Sequence, residues 1–287
     1  MRKTTIIILT LIACMHTYAQ QSQSHWIGVA PTMFTTLQID DSHLTSSKLG
    51  AGAGLGMTYE FQMNNLVLAF GAEATYNYYH VGLADVYLSY EMIDTKGTPF
   101  QYKGAIEKRR DISHTLDVRI PVMVGLEFKY IYMMTGIKLH VNVAGSNQSI
   151  ARLTTSGKYD MFYDEITNVP SHGFIDNQFV KTNSDFKYGL DVRPTIELGV
   201  VISKGRYNNH YNNKYHLGVY AEYGLINVLP SDRTAELMMP DVSQYLQVDM
   251  NHVYITPNVS QLHHFQLGIR FKTYFQIRIF KGRLIYY

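Results

Sequence analysis

Residues 49–61 read LGAGAGLGMTYEF, with glycine at positions 50, 52, 54 and 56 and an apolar residue at every odd position. Successive side chains of a β-strand point to opposite faces, so this alternation describes one strand with two unlike sides. Leu49, Ala51, Ala53, Leu55, Met57, Tyr59 and Phe61 share one side; the glycines, Thr58 and Glu60 share the other. The run is longer than an ordinary strand of about five or six residues. A tilted strand crossing a bilayer needs about nine to eleven.

The same alternation recurs in seven further segments: Trp26–Leu37, Leu66–Tyr78, Leu116–Leu126, Ile131–Val143, Phe186–Val200, His216–Leu225 and His264–Lys272. Short gaps (62–65, near Lys129, and the Asn208, Asn209, Asn212, Asn213 cluster) rotate with long ones (80–111, 144–185 and 227–261). This predicts an all-β fold: an eight-stranded antiparallel transmembrane up-and-down β-barrel with short periplasmic turns and long extracellular loops. Alternation alone leaves a second orientation open, a soluble lipocalin-like periplasmic binding barrel with the apolar side around a ligand. The membrane orientation is favoured by aromatics at the ends of the apolar faces. Tyr59, Phe61 and Phe271 lie on the turn side, and Tyr76, Tyr78, Phe186, Tyr188 and Tyr223 on the loop side.

The first residues, MRKTTIIILTLIACMHTYAQ, have a basic start at Arg2 and Lys3, an apolar core and a small-residue cleavage site at Ala19. Residues 1–19 are therefore expected to be a signal peptide and 20–287 a single outer-membrane barrel domain. Leu11-Ile12-Ala13-Cys14 also resembles a lipobox, in which Cys14 would be lipidated. With Ala19 as the cut, the exported chain retains no cysteine, which excludes disulfides, thiol catalysis and thiolate metal sites. The formal charge of +2 is carried by Arg2 and Lys3, since the 25 basic side chains otherwise match the 23 acidic ones. A neutral exported chain has no electrostatic footprint for nucleic acid.

The stretch HTLDVRIPVMVGLEF (114–128), then YIYMMTG (130–136), and Leu225 within YAEYGLINVLP resemble the PorT-like outer-membrane β-barrel family of Gram-negative bacteria. The resemblance runs from about Trp26 to Phe275 on short motifs, and the residues after Lys272 run past that family's usual end. It implies the barrel and the outer membrane. The name-giving member assists protein secretion, a role not carried over here.

Eleven charged residues fall on inward positions: Glu60, Glu73, Asp117, Arg119, Lys138, Asp191, Arg193, Glu197, Glu222, Arg270 and Lys272. In a barrel this narrow, side chains fill the interior, so the expectation is a closed, salt-bridged lumen; a proton or ion path is the other reading. Tyrosine-rich loops supply a candidate binding surface at Tyr87, Tyr90, Phe100, Tyr102, Tyr159, Phe162, Tyr163, Tyr245 and Tyr254, unless these side chains pack over one another as a cap. VYLSYEM (86–92) and FQYKGAI (100–106) are expected to form a hairpin above the membrane.

HExxH, G-x-S-x-G and P-loop motifs are missing, and the glycine run lacks the dinucleotide pattern, so neither nucleotide nor other cofactor is expected. His140 with Ser146, and His114 with Ser113, are the candidate pairs for a barrel enzyme acting on lipid or peptide; His263, His264 and His252 are the metal candidates. The reading preferred from sequence is a non-enzymatic outer-membrane barrel, in contact with outer-membrane lipid, that meets an extracellular or envelope protein partner through its outer loops.

Overall fold

The computed structural model describes residues 23–94, 96–169, 174–184, 188–203, 213–229, 236–241, 247–280 and 283–285. Its strands are β1 (Gln23–Asp40), β2 (Thr45–Met63), β3 (Leu66–Leu83), β4 (Val86–Ile93), β5 (Pro99–Glu127), β6 (Ile131–Lys158) and β7 (Ile166–Thr167). They continue with β8 (Gln178–Ser184), β9 (Asp191–Ser203), β10 (Asn213–Tyr223), β11 (Met238–Asp241), β12 (Gln247–Met250), β13 (Leu262–Phe280) and β14 (Arg283–Ile285). Eight of these, β1, β2, β3, β5, β6, β9, β10 and β13, pair antiparallel in chain order, and β13 returns to β1 from His25↔Ile277 to Asp40↔Leu262. The ring is closed, so no barrel edge is left to pair with another chain.

At one end of the barrel, tight turns join β2 to β3 and β5 to β6. Asn64 takes the left-handed conformation (φ 54°) between β2 and β3, and the Glu127 N–H donates to the Asn65 carbonyl. The signal-peptide region and Asn208, Asn209 and Asn212 of the expected turn lie outside the described residues, while Asn213 opens β10.

At the other end the expected hairpin of 86–92 with 100–106 is present, Val86 opposite Ile106 and Met92 opposite Phe100, but the regular structure reaches further than the sequence predicts. Residues 80–111 and 144–185 are not simply loops. β5 begins at Pro99 and β6 runs to Lys158, so the two form one hairpin that continues far beyond the barrel rim. β4 carries on the direction of β3 along β5 after a break at Ala84 and Asp85, with Tyr90 opposite Tyr102. Two irregularities mask this in the sequence. Pairing shifts between Glu107 and Arg110, where Lys108 is left-handed (φ 50°) and its N–H donates to Asp85 Oδ1, and again between Leu116 and Asp117. Each shift breaks the period-two phase, which makes a continuous strand look interrupted.

The result is a small apical sheet of β4, β5, β6 and β8, with β7 at its tip. Its inner face is a hydrophobic cluster of Phe100, Tyr102, Ile106, Leu153, Phe174 and Met238, the last contributed by the β11–β12 hairpin. β9 starts at Asp191, later than expected. Tyr188 is buried instead of joining the outer aromatic band, and Phe186 lies outside the described residues. β13 extends to Phe280 and β14 folds back on it, which accounts for the described residues beyond Lys272.

Orientation of the faces is settled along every barrel strand. Met33, Leu55, Met57, Ile120, Val122, Ile137, Leu198, Val219 and Ile269 are all exposed on the outside. Their strand neighbours Thr32, Thr58, Arg119, Lys138, Glu197, Tyr220 and Arg270 are buried inside. A lipocalin-like interior requires the reverse, and that alternative is overturned.

The glycines of the opening stretch face the lumen and leave room there. A Cβ at Gly52 would run into the Phe34 ring, and one at Gly56 would stand 2.8 Å from Glu73 Cγ. Phe34 in turn lies under the Arg119 guanidinium, 4.9 Å from ring centroid to Cζ. Hydrogen on one strand is thus the space taken by long polar side chains from its neighbours.

Candidate functional site

All eleven charged residues named from the sequence lie inside the barrel, none more than 5 % exposed. Glu73 and Arg270 come from β3 and β13, separated by two intervening strands, and meet at 2.8 Å across the interior. Arg270 also holds Glu197 at 2.9 Å, which takes Lys272 at 2.7 Å and the Tyr132 hydroxyl at 2.7 Å. Lys138 pairs with Glu222 and, at 3.3 Å, with Glu73; Arg119 approaches Glu222 at 3.8 Å. Nearer the loops, Arg193 holds Asp191 at 2.6 Å, and Asn77 links Asp117 to Arg119, each at 2.9 Å. Buried charge is tolerated only where it is paired and hydrogen-bonded. Opposite walls are tied by these contacts.

Sequence reasoning missed the turn-side plug. Lys214 pairs with Glu60 at 3.0 Å and Glu127 at 2.6 Å, and its ammonium sits 5.0 Å from the Trp26 and Tyr274 rings. Glu127 also faces His216 at 3.2 Å. Lys214 and Glu127 stand at strand ends beside the turns, where alternation is weakest as a signal.

The loop side is closed by a cap. Tyr79, Val81, Leu83, Tyr188, Val228, Leu237, Val253, Tyr254 and Leu262 form one buried cluster over the mouth. Beneath it, Tyr79, Asp117, His140, Tyr188, Arg193 and His264 border a cavity of about 10 Å³, room for roughly one water. Arg109 makes a two-pronged contact with Asp111 at 2.9 and 3.0 Å, and Asp111 accepts the Val253 N–H at 2.7 Å. His252 reaches Ser113 Oγ at 3.1 Å through Nε2. Burial pushes the His252 imidazole down to about 4, against the opposing charge of Asp111 and with that of Arg109.

The expected enzyme pairs are not assembled. Ser113 and His114 are adjacent on β5 and therefore face opposite ways. Ser113 points inward to His252, and His114 points outward to the Tyr76 hydroxyl at 2.6 Å. His140 is buried and Ser146 exposed. His263 and His264 are likewise split, one stacked on Tyr223 outside and one on Tyr79 inside. Among the described residues no group of three or more His, Cys, Asp or Glu side chains could hold a metal ion.

Of the nine loop aromatics, Tyr87, Phe162 and Tyr163 are exposed. Tyr90 and Tyr159 are half-buried, and the Tyr90 hydroxyl donates to the Met238 carbonyl at 3.2 Å. Phe100, Tyr102 and Tyr254 are buried and are a correction to the sequence reading. They sit on the inward phase of the apical sheet or under the cap, where they supply packing and no surface. Tyr245 lies outside the described residues. The exposed side of the apical sheet bears a shallow apolar groove of about 290 Å³ lined by Tyr87, Ser89, Lys103, Ala105, Thr154 and Ser156.

A closed ring of eight antiparallel strands, apolar outside and ion-paired inside, defines a transmembrane β-barrel. Among solved structures, the chain is similar to Neisserial surface protein A, with 10 % identity and a TM-score of 0.30 over 88 % of this chain and 98 % of that one. It is also similar to Ail, the attachment invasion locus protein of Yersinia pestis in complex with the heparin analogue sucrose octasulfate, with 8 % identity and a TM-score of 0.27 over 88 % and 98 %. No protein-family model matches the sequence, and no curated protein matches it.

Proposed function

We propose that this protein is a non-enzymatic, integral outer-membrane barrel that serves as a binding or envelope accessory through its apical sheet. The observation that carries the reading is the combination of a filled lumen with a packed sheet held above it. Ion pairs span the interior, a cap covers one mouth and the Lys214 plug the other, which supports a barrel that does not transport. What projects outward is a packed sheet with Tyr87 exposed and a groove on its face, and with Tyr163 exposed in the adjoining loop. Export by the N-terminal signal and membership in the PorT-like family belong to the same proposal.

Against the enzyme alternative, the nearest Ser–His–acid grouping among the described residues, Ser113, His252 and Asp111, has an unfavourable proton placement. The Tyr254 N–H donates to His252 Nδ1, which puts the imidazole proton on Nε2 facing Ser113; a base that activates serine needs the opposite tautomer.

A photo-activated cross-linker placed at Tyr87 in intact cells tests the binding reading, with the lipid-facing Ile120 as the comparison position. Discrete protein adducts are expected from Tyr87 and none from Ile120. If Tyr87 and Tyr163 both give no protein adduct, the accessory role is rejected.

A further inference from the structure

The outer wall formed by β2, β3, β5, β6 and β8 carries cations immediately above its aromatic band. Register places Lys48 beside His80 and Gly82 beside Arg110, then Arg110 beside Ile150 and Ile150 beside Lys181. Lys48, Arg110 and Lys181 are exposed. One step toward the apolar band, Tyr78 pairs with His114, and the next row is Tyr76 with Leu116. From His114 to Arg110 the strand climbs about 13 Å, so the cations stand at headgroup depth above a surface of rings and aliphatic side chains.

Gly82 gives the pair its geometry. A Cβ there would lie 3.2 Å from Lys48 Cε and 3.5 Å from its Nζ, so the missing side chain lets the ammonium rest against the wall next to Arg110. No described carboxylate forms an ion pair with Lys48, Arg110 or Lys181. The opposite wall differs: near β1 and β13 the rim carries Asp41, which binds the Ser260 and Gln261 amides.

We propose that Lys48 and Arg110 form a headgroup site for a phosphorylated, multiply acylated lipid of the leaflet on the apical side. The phosphate lies between the two cations over Gly82, and the acyl chains run down Tyr78, Tyr76 and Leu116. Phosphate suits this pair because a guanidinium offers paired donors and an ammonium a point charge. A free phosphate would use the cations alone and gain nothing from the apolar surface below them.

The inference rests on the membrane reading, and the test separates the two. Barrel purified in a neutral detergent is titrated by native mass spectrometry with a bis-phosphorylated glycolipid, with the same glycolipid after dephosphorylation, and with inorganic phosphate. Heat-modifiable gel mobility and the need for detergent report membrane insertion independently. Binding of the phosphorylated lipid alone is expected. Each cation near a membrane surface is worth roughly a five-fold factor, so K48S/R110S should weaken binding about thirty-fold while K96S, an apical charge loss elsewhere, leaves it unchanged. Equal binding of the dephosphorylated lipid, full binding by K48S/R110S, or saturation by inorganic phosphate would each overturn the site. Loss of heat-modifiable mobility in the unmodified protein would instead overturn the membrane reading.

Discussion

Ile120 and Arg119 are neighbours in sequence and opposites in surroundings. Ile120 faces outward and is 45 % exposed; Arg119 is fully enclosed. Charge on the lipid side of a barrel near mid-membrane costs about 2–4 kcal/mol, so Ile120→Arg should lower the unfolding free energy measured in lipid by that amount. From alternation alone, Arg119→Ala looks mild, because a polar lumen should accept a smaller side chain. The packed interior argues otherwise. Arg119 donates to Asn77 at 2.9 Å, stacks on Phe34 and stands near Glu222, so its removal empties a crowded layer. Lys138 is the sharper case, since Glu222 and Glu73 both depend on it. Lys138→Met should cost about 3–5 kcal/mol by leaving buried carboxylates short of a partner. In a double-mutant cycle with Glu222→Gln, followed by urea unfolding in micelles, the combined loss should be well below the sum of the two; simple additivity would contradict the coupling.

The segment from Asn251 to Leu262 crosses the barrel mouth and is held by a few polar contacts. Arg109 reaches the Asn251 carbonyl, Asp111 accepts the Val253 N–H and His252 meets Ser113. His252 has a folded-state pKa of about 4, below its ordinary 6.5. In the unfolded chain the imidazole takes up a proton near 6.5, in the folded one only near 4. Its contribution is therefore fully present above pH 6.5 and is lost as pH falls toward 4. Hydrogen-exchange protection of residues 251–262, corrected for the base-catalysed intrinsic rate, should fall as pH drops through that window, and His252→Gln should flatten the dependence; an unchanged pH profile in the variant would refute the assignment. None of this segment was legible from alternation, because its ties join residues more than a hundred positions apart. The same is true of β5 and β6. Their barrel halves repeat faithfully from Leu116 to Leu126 and from Ile131 to Val143, and the 86–92/100–106 hairpin is also readable, whereas the continuity of that hairpin with the barrel and the apical half of β6 are hidden by the shifts at Glu107–Arg110 and Leu116–Asp117. Tyr102 and Tyr254 show the related limit for the surface. Tyrosine in a long loop is equally suited to bind a partner or to fill a core, and only the register of β4, β5 and the cap decides between them.

Taken as one body, the barrel is closed at three levels along its axis. Lys214, Glu60, Glu127 and Trp26 fill the turn side, the Glu73–Arg270 and Lys138–Glu222 contacts cross the middle, and Tyr79, Tyr188, Val253 and Tyr254 cover the loop side. The middle level was legible in the sequence because inward positions of long strands are fixed by period two. The two ends were not, being set by how turns and loops fold over the rims. Eight strands give an interior that side chains fill, while water-filled channels belong to barrels of about sixteen. Reconstituted into planar bilayers, the protein should show no steady conductance. Removing only the middle level, with Glu73→Ala, Arg270→Ala, Lys138→Ala and Glu222→Ala together, should still leave the bilayer silent, because plug and cap each block the path independently. Adding Lys214→Ala and deleting the cap segment 251–260 is the combination expected to admit ions. Steady single-channel currents from the unmodified protein would show that the lumen conducts and that the projecting sheet is not its main working part.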